Sequence, residues 1–304
     1  MNKTDLYSKF VKILKFGEAY MDEPMKKHTS FKIGGPVDVM VLPGSEEELM
    51  NSIEICKNNE IDYIVMGNGT NLLVSDNGIR GVVIKISERL GDIKVNGNIL
   101  KAQGGALLTV VSKRALKASL KGLEFASGIP GSIGGAITMN AGAYGGEMKD
   151  VVTKVKCVDK EGKFVILNNE DMKFGYRKSR VQDEGLIVVE VEMELEEGDY
   201  DEILAKMKEY TERRTTKQPL NLPSGGSTFK RPKGYYAGKL IEDAGLKGMK
   251  LGGAQVSEVH SGFIVNVDDA TCDNVINLIK VVQKVVRDKY DVILEPEIKF
   301  VGEK

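Results

Sequence analysis

Residues 122–146 read GLEFASGIPGSIGGAITMNAGAYGG. The stretch holds eight glycines, and no charged residue lies between Glu124 and Glu147. It is long enough for a membrane span, which needs about 20 mostly apolar residues. Its glycines argue against one, because each interior Gly costs a helix roughly 1 kcal/mol relative to Ala. Backbone without Cβ atoms can take positive φ and present bare N–H groups to a ligand. A neutral, backbone-lined surface of this length suits a large planar cofactor carrying a pyrophosphate. Its candidate residues are Gly128-Ile129-Pro130-Gly131-Ser132-Ile133-Gly134-Gly135 and Asn140-Ala141-Gly142-Ala143-Tyr144.

Outward from this stretch, the pattern is mixed α+β. Upstream, 5–19 reads as a short amphipathic helix. Val37, Val39 and Val41 alternate as a strand, and Ser45 with Glu48 forms a capping-box pattern opening a helix to about 59. Strands are expected at 62–66 and 82–86, and a helix at 107–120. Downstream, strands are expected at 151–158, 163–167 and 186–195, and Glu196-Glu197-Gly198-Asp199 marks a boundary. A helix over 201–214, a loop over 218–229, helices over 235–244 and 271–290 and a last strand over 291–301 complete the chain. The expected division is 1–85, 86–198 and 199–304.

The bulk numbers exclude several classes. Net charge is −1 over 304 residues, so no basic field points to nucleic acid or a membrane surface. Cys56, Cys157 and Cys272 are far apart and form no C-x-x-C pair. With only His28 and His260, a multi-histidine metal site is not expected, and no metal is called for. The first residues lack an uninterrupted apolar core and a cleavage site, so a signal peptide is not expected and the cytoplasm is the default.

Four other segments invite a chemical reading, each beside a plainer one. Gly67-Asn68-Gly69-Thr70-Asn71 follows a strand and can form a backbone nest for phosphate, or be only a tight turn. It is neither a P-loop nor a full dinucleotide fingerprint, since Leu72 stands where the third glycine belongs. Arg177, in FGYRKSR (174–180), reads by default as part of a solvated basic turn, yet its guanidinium suits a carboxylate. Ser227 follows two glycines and can face a small ligand or serve as a turn residue; no Ser/His/Asp arrangement supports a hydrolase. Glu297 falls on the polar face of the last strand, with Glu295 and Lys299, either in water or in a cleft as an acid or base.

Taken together, HTSFKIGGP (28–36), GNGTNLLVSDNGIRGVVI (67–84), the stretch 122–148, FGYRKSR, QPLNLPSGGSTFKRP (218–232), AGKLIEDAGLKG (237–248), GGAQVSEVHSGFIVN (252–266) and LEPEIKFVG (294–302) strongly resemble the UDP-N-acetylenolpyruvoylglucosamine reductase (MurB) family. The spacing resembles its shorter subclass, which lacks an extra substrate-lid segment. The resemblance implies an FAD-binding module of two α+β subdomains, PCMH/vanillyl-alcohol-oxidase-like, followed by a C-terminal α+β substrate domain. It implies non-covalent FAD, NADPH as co-substrate, and reduction of UDP-N-acetylglucosamine enolpyruvate to UDP-N-acetylmuramate for peptidoglycan. Gly67, Asn68, Gly69, Thr70 and Asn71 would hold the FAD pyrophosphate, and the two glycine-rich runs the rest of the cofactor. Arg177, Ser227 and Glu297 match the catalytic positions. Tyr176, Lys230, Arg231, Lys239 and His260 are candidates for the UDP-sugar. A monomer is expected, with neither nucleic acid nor membrane as partner. Two departures stand out: SGGS (224–227) where many short-form relatives carry SCGS, and Val259 where lysine is common. The rival expectations are a flavin oxidase of the same fold group and a non-catalytic flavin-binding module.

Overall fold

Ser45 opens α2 (Glu46–Asn58) as expected, its hydroxyl accepting the Glu48 N–H at 3.1 Å. The reciprocal half of the capping box is absent. The Glu48 carboxylate instead accepts N–H bonds from Lys15 (2.6 Å), Phe16 (2.7 Å) and Gly44 (2.8 Å). That competition corrects the first helix as well. α1 spans Lys3–Ile13, Leu14 is already extended, and Glu18–Pro24 is a strand. The N–H groups of Lys15 and Phe16, which a longer helix would use internally, are taken by a side chain 32 or more residues away.

The computed structural model describes residues 2–303. The chain forms two compact units from interleaved segments. The first takes the chain up to Met21, then Val39–Asn68 and Gly81–Arg214; the second takes Asp22–Asp38, Gly69–Arg80 and the chain from Thr215 onward.

The first unit holds two cores. In one, Leu6 and Phe10 of α1 and Leu49, Ile53 and Cys56 of α2 pack on Val39, Val41, Val82 and Ile84. Tyr63–Met66 and Ile79–Lys85 pair in parallel there, with Tyr63 opposite Val82. The other core lies on a five-stranded sheet in the order Phe164–Asn168, Val152–Val158, Ile187–Glu194, Ile99–Gln103, Ile93–Asn96, whose neighbours are all antiparallel. Against it pack α3 (Leu108–Lys117), α4 (Ile133–Thr138) and α5 (Arg180–Glu184), through Leu108, Val111, Ile133, Ile137 and Val181. Each fully buried Leu, Ile, Val or Phe contributes about 1.5–3 kcal/mol. α6 (Tyr200–Lys217) begins just after EEGD (196–199), whose two glutamates pair with Lys121 and Leu120, and buries Ile203 and Met207 with Leu116. The end of the first unit at Arg214 falls inside this helix.

The second unit is a four-stranded antiparallel sheet, ordered Ser224–Ser227, Phe263–Asn266, Ala254–Val256, Lys250–Leu251. α7 (Ala237–Asp243) and α8 (Cys272–Tyr290) bury Leu240, Ile241, Val275, Leu278 and Val282 with Phe31, Ile264 and Leu294. Two expectations are corrected here. The 218–229 loop contains an edge strand, because Ser224 and Ser227 find ladder partners in Val265 and Phe263. The last strand is only Lys299–Val301, parallel to Leu72–Val74. Pro296 has no N–H to give a ladder, and the alternation fails at its end, where Phe300 is 39% exposed. Among the described residues, no helix is long and apolar enough to cross a membrane.

Candidate functional site

In the first unit the glycine-rich stretch is a loop, a short helix and a second loop. Ser132 caps α4, its hydroxyl accepting the Gly135 N–H at 3.3 Å. Ile133 and Gly134 donate to the carbonyls of Ala106 and Gly104, both at 2.8 Å. Part of the glycine density therefore serves packing against the protein's own backbone. A Cβ on Gly134 would lie 2.9 Å from the Gly104 oxygen, and one on Gly146 2.6 Å from the Phe125 ring. Gly67 ends the Tyr63–Met66 strand against the same helix start: a Cβ there would fall 2.2 Å from Ser132 Oγ. The expected phosphate turn and the glycine-rich stretch thus meet at Gly67 and Ser132. Gly69, Thr70 and Asn71 lie in the second unit, where the Asn71 carbonyl accepts the Lys299 N–H and its amide donates to the Glu297 carbonyl at 3.2 Å.

Asn140 is fully buried and its amide is committed inside the protein. It donates to Glu147 (2.9 Å) and to the Gly175 carbonyl (3.1 Å), and accepts from the Lys149 N–H (3.0 Å). The bond to Gly175 ties the FGYRKSR turn to the second glycine loop. Ser179 and Gln182 strengthen the tie by donating to the Thr138 carbonyl, and Gln182 also donates to the Arg177 carbonyl. Arg177 sits at φ 54°, its guanidinium 3.3 Å from the Gly142 carbonyl and 5.0 Å from the centre of the exposed Tyr176 ring. It is a braced cation beside the glycine loop rather than a freely solvated one. Tyr144 stacks on Tyr210 of α6 at 4.4 Å and donates to its carbonyl.

In the second unit, Ser227 is exposed at the end of its strand, and Thr228 behind it is fully buried. Thr228 accepts the Ile264 N–H through its hydroxyl and the Glu297 N–H through its carbonyl (2.8 Å). Glu297 is therefore tied by a backbone hydrogen bond to Thr228, the residue that follows Ser227. Glu297 is half-buried, unlike the exposed Glu295 and Lys299 of its expected polar row. Gly225 accounts for SGGS in place of SCGS: a Cβ at 225 would lie 2.4 Å from the ring of fully buried Phe31.

The five residues expected at the sugar substrate differ in environment. Lys230 is paired with Glu295, and Lys239 with Asp243 at 2.5 Å on an exposed turn of α7. Arg231 lies 4.0 Å over the Tyr236 ring. His260 Nδ1 accepts the Gly262 N–H at 3.0 Å, which leaves the neutral ring's proton on Nε2. Burial holds this histidine below its usual range, so at neutral pH it is an uncharged donor.

One residue escaped the reading by pattern. Ser127 Oγ is buried with no hydrogen-bond partner among the described residues, and it adjoins Gly128. An orphaned polar atom in a glycine loop without charge fits a loop that meets a polar ligand group. Only its adjacency to the glycines could have signalled this.

Comparison with known proteins bears on the same segments. A profile of the "FAD binding domain" matches residues 37–168, and one of the "UDP-N-acetylenolpyruvoylglucosamine reductase, C-terminal domain" matches residues 218–301. The chain is 54% identical over 303 residues, covering 100% of both chains, to the UDP-N-acetylenolpyruvoylglucosamine reductase of Alkaliphilus metalliredigens (strain QYMF). It is 57% identical over 299 residues, 98% of this chain and 99% of the other, to that of Caldanaerobacter subterraneus subsp. tengcongensis. The crystal structure of the Thermus caldophilus UDP-N-acetylenolpyruvylglucosamine reductase matches with a TM-score of 0.80 at 34% identity, over 93% of this chain and 98% of that one.

Proposed function

The chain belongs to the UDP-N-acetylenolpyruvoylglucosamine reductase family, and from that premise we propose that it reduces UDP-N-acetylglucosamine enolpyruvate to UDP-N-acetylmuramate with NADPH, in the cytoplasm, for peptidoglycan synthesis. Family and FAD binding domain together make it a flavoprotein oxidoreductase. FAD, held without a covalent bond by Gly67–Asn71 and the two glycine-rich runs, supplies the two-electron chemistry between NADPH and the enolpyruvyl double bond. Residues 1–85 and 86–198 serve the cofactor in this reading, and 199–304 the UDP-sugar.

The roles of the chain's own groups follow from charge. Reduction of the double bond builds negative charge at C2 and in the adjoining carboxylate. Arg177 presents a guanidinium fork and binds those carboxylate oxygens. Preorganised donors of this kind are worth roughly 2.7–4 kcal/mol to a transition state. Ser227 holds its hydroxyl at C2 and gives up the proton that completes the lactyl ether. Glu297, in its protonated form, donates to the same carboxylate; ionised, it would repel it. The observation that carries this reading is that half-buried Glu297 is hydrogen-bonded through its backbone to Thr228, the residue that follows the exposed Ser227. Tyr176, Lys230, Arg231, Lys239 and neutral His260 are the proposed contacts to the sugar nucleotide.

The test is an anaerobic absorption spectrum of the purified protein, with NADPH added first and the enolpyruvyl substrate second. Bleaching of the flavin band followed by its recovery is expected. Bleaching without recovery would point to a different acceptor, and a protein that takes up no flavin would overturn the reading.

A further inference from the structure

We propose that Gln182 is a positioning residue for the reduction: its side-chain amide holds the strained backbone turn that aims the Arg177 guanidinium. The inference rests on the functional reading above and gives a task to a side chain that has no contact with cofactor or substrate in it. Gly175 and Lys178 exchange both backbone bonds, the Gly175 N–H to the Lys178 carbonyl at 3.0 Å and the Lys178 N–H to the Gly175 carbonyl at 3.2 Å. Tyr176 and Arg177 are therefore the tip of a tight turn. Arg177 is the third residue of that turn and has φ 54°. Such a position is ordinarily filled by glycine or asparagine, because a Cβ at positive φ crowds the backbone. A longer residue persists there only where the surroundings over-determine it, and such outliers cluster where function needs a side chain fixed.

The turn is held from two sides. On one, buried Asn140 donates to the Gly175 carbonyl at 3.1 Å. On the other, the NH2 group of Gln182 donates to two carbonyls, that of Thr138 at 2.6 Å and that of Arg177 at 3.1 Å. Both partners can only accept, so the NH2 end of the amide has to face them. The Thr138 carbonyl ends α4, where no further turn of helix can bond it, and it also takes the hydroxyl of fully buried Ser179 at 2.8 Å. Ser179 stands at the N-cap of α5, where a serine normally accepts an N–H of its own helix, yet it makes no such bond. The start of α5 is thus committed to the end of α4, and Gln182 extends that anchorage to the carbonyl of the strained residue. With this backbone fixed, the Arg177 guanidinium lies 3.3 Å from the Gly142 carbonyl in the second glycine-rich run. Misplacing a substrate-orienting group by about 1 Å costs roughly 10²-fold in rate, so an amide behind the turn acquires a kinetic effect.

The experiment uses the full-length, flavin-loaded protein and follows the two half-reactions separately by rapid anaerobic absorbance. Gln182→Met keeps the length of the side chain and removes both donors. Gln182→Lys restores donors, since an ammonium carries three. Gln182→Glu has the shape of glutamine and, ionised, no donor, so it repeats the test if the methionine variant fails to fold. Gln182→Met is expected to slow reoxidation of the flavin by the enolpyruvyl substrate by about 10–100-fold and to leave its reduction by NADPH within about 2-fold. Gln182→Lys should recover most of that loss. In an Arg177→Ala background, Gln182→Met should cost less than about 2-fold more, because two residues that act through one guanidinium are not additive. A glutamine that only stabilised the fold would show the same loss with and without Arg177. That result, equal slowing of both half-reactions, no recovery with lysine, or unchanged kinetics in folded variants overturns the inference. Failure of the wild-type protein to hold flavin, or to be reoxidised by the enolpyruvyl substrate, would instead overturn the functional reading.

Discussion

At the scale of single residues, Glu48 shows how a side chain can decide backbone structure. Burial by itself pushes its carboxyl up; the N–H donors of Gly44, Phe16, Lys15 and Gly17 outweigh that and hold it below the usual range. A carboxylate lowered in the folded state stabilises above its unfolded value, about 4.3, and loses that contribution as pH falls through the folded value. Glu48→Gln should therefore cost about 1.5–3 kcal/mol at neutral pH. The gap in Tm between variant and wild type should close in acid; a gap independent of pH would contradict the carboxylate's role. Ser227 makes a chemical prediction. Ser227→Ala should leave flavin reduction by NADPH intact and slow reoxidation by the enolpyruvyl substrate by roughly 10²–10⁴-fold, the usual span for a general acid. Equal losses in rapid-kinetic traces of the two half-reactions would remove the serine from the mechanism. Ser227 stands out in the sequence as a candidate because glycines and a family-like motif flank it. Glu48 was legible only as a helix cap, since a local pattern cannot show a carboxylate claimed by backbone more than thirty residues away.

At the scale of elements, α8 is fastened at its start by two devices. Thr271 and Asn274 form a capping box, each side chain accepting the other's N–H. Asp76 adds a carboxylate that accepts the Cys272 N–H at 2.9 Å and the Asp273 N–H at 3.3 Å. The sequence shows SDNG only as a turn; the helix it caps lies almost two hundred residues on. A carboxylate at a helix N-terminus also meets the positive end of the macrodipole. Asp76→Ala should destabilise by roughly 1–2 kcal/mol, and Asp76→Asn by less, because asparagine still caps. Urea unfolding monitored by circular dichroism measures both; no difference between aspartate and alanine would show that the cap is redundant. The final strand teaches the converse. Alternation over 291–301 predicts one long strand, but Pro296 and the separate bonds of Glu295, Glu297 and Lys299 break it into a short ladder and a strap. Periodicity marks which residues are buried, as at Leu294 and Ile298, and does not say what pairs with them.

At the scale of the molecule, the three cysteines report on both units. Cys56 and Cys157 lie in the first and Cys272 in the second, all buried and free. Burial pushes each thiol up to about 12. A thiol reagent should react slowly with the folded protein even at mildly alkaline pH, and with all three once denaturant is added. A fast-reacting thiol in native buffer would contradict the packing of its unit. The sequence by itself determined the α+β class, most element positions, the absence of a disulfide framework and the family. These are local properties: periodicity, turn chemistry and residue type at short range carry them. Tertiary structure decided that 22–38 and 69–80 fold with the C-terminal part, and that Asn140 spends its amide bracing the Arg177 turn. It also decided that Gln182 gives its amide to the carbonyls of Thr138 and Arg177. Such outcomes depend on which distant segment satisfies a given donor, acceptor or charge. A hydrophobic or polar pattern states the need to be satisfied; only the folded chain supplies the partner.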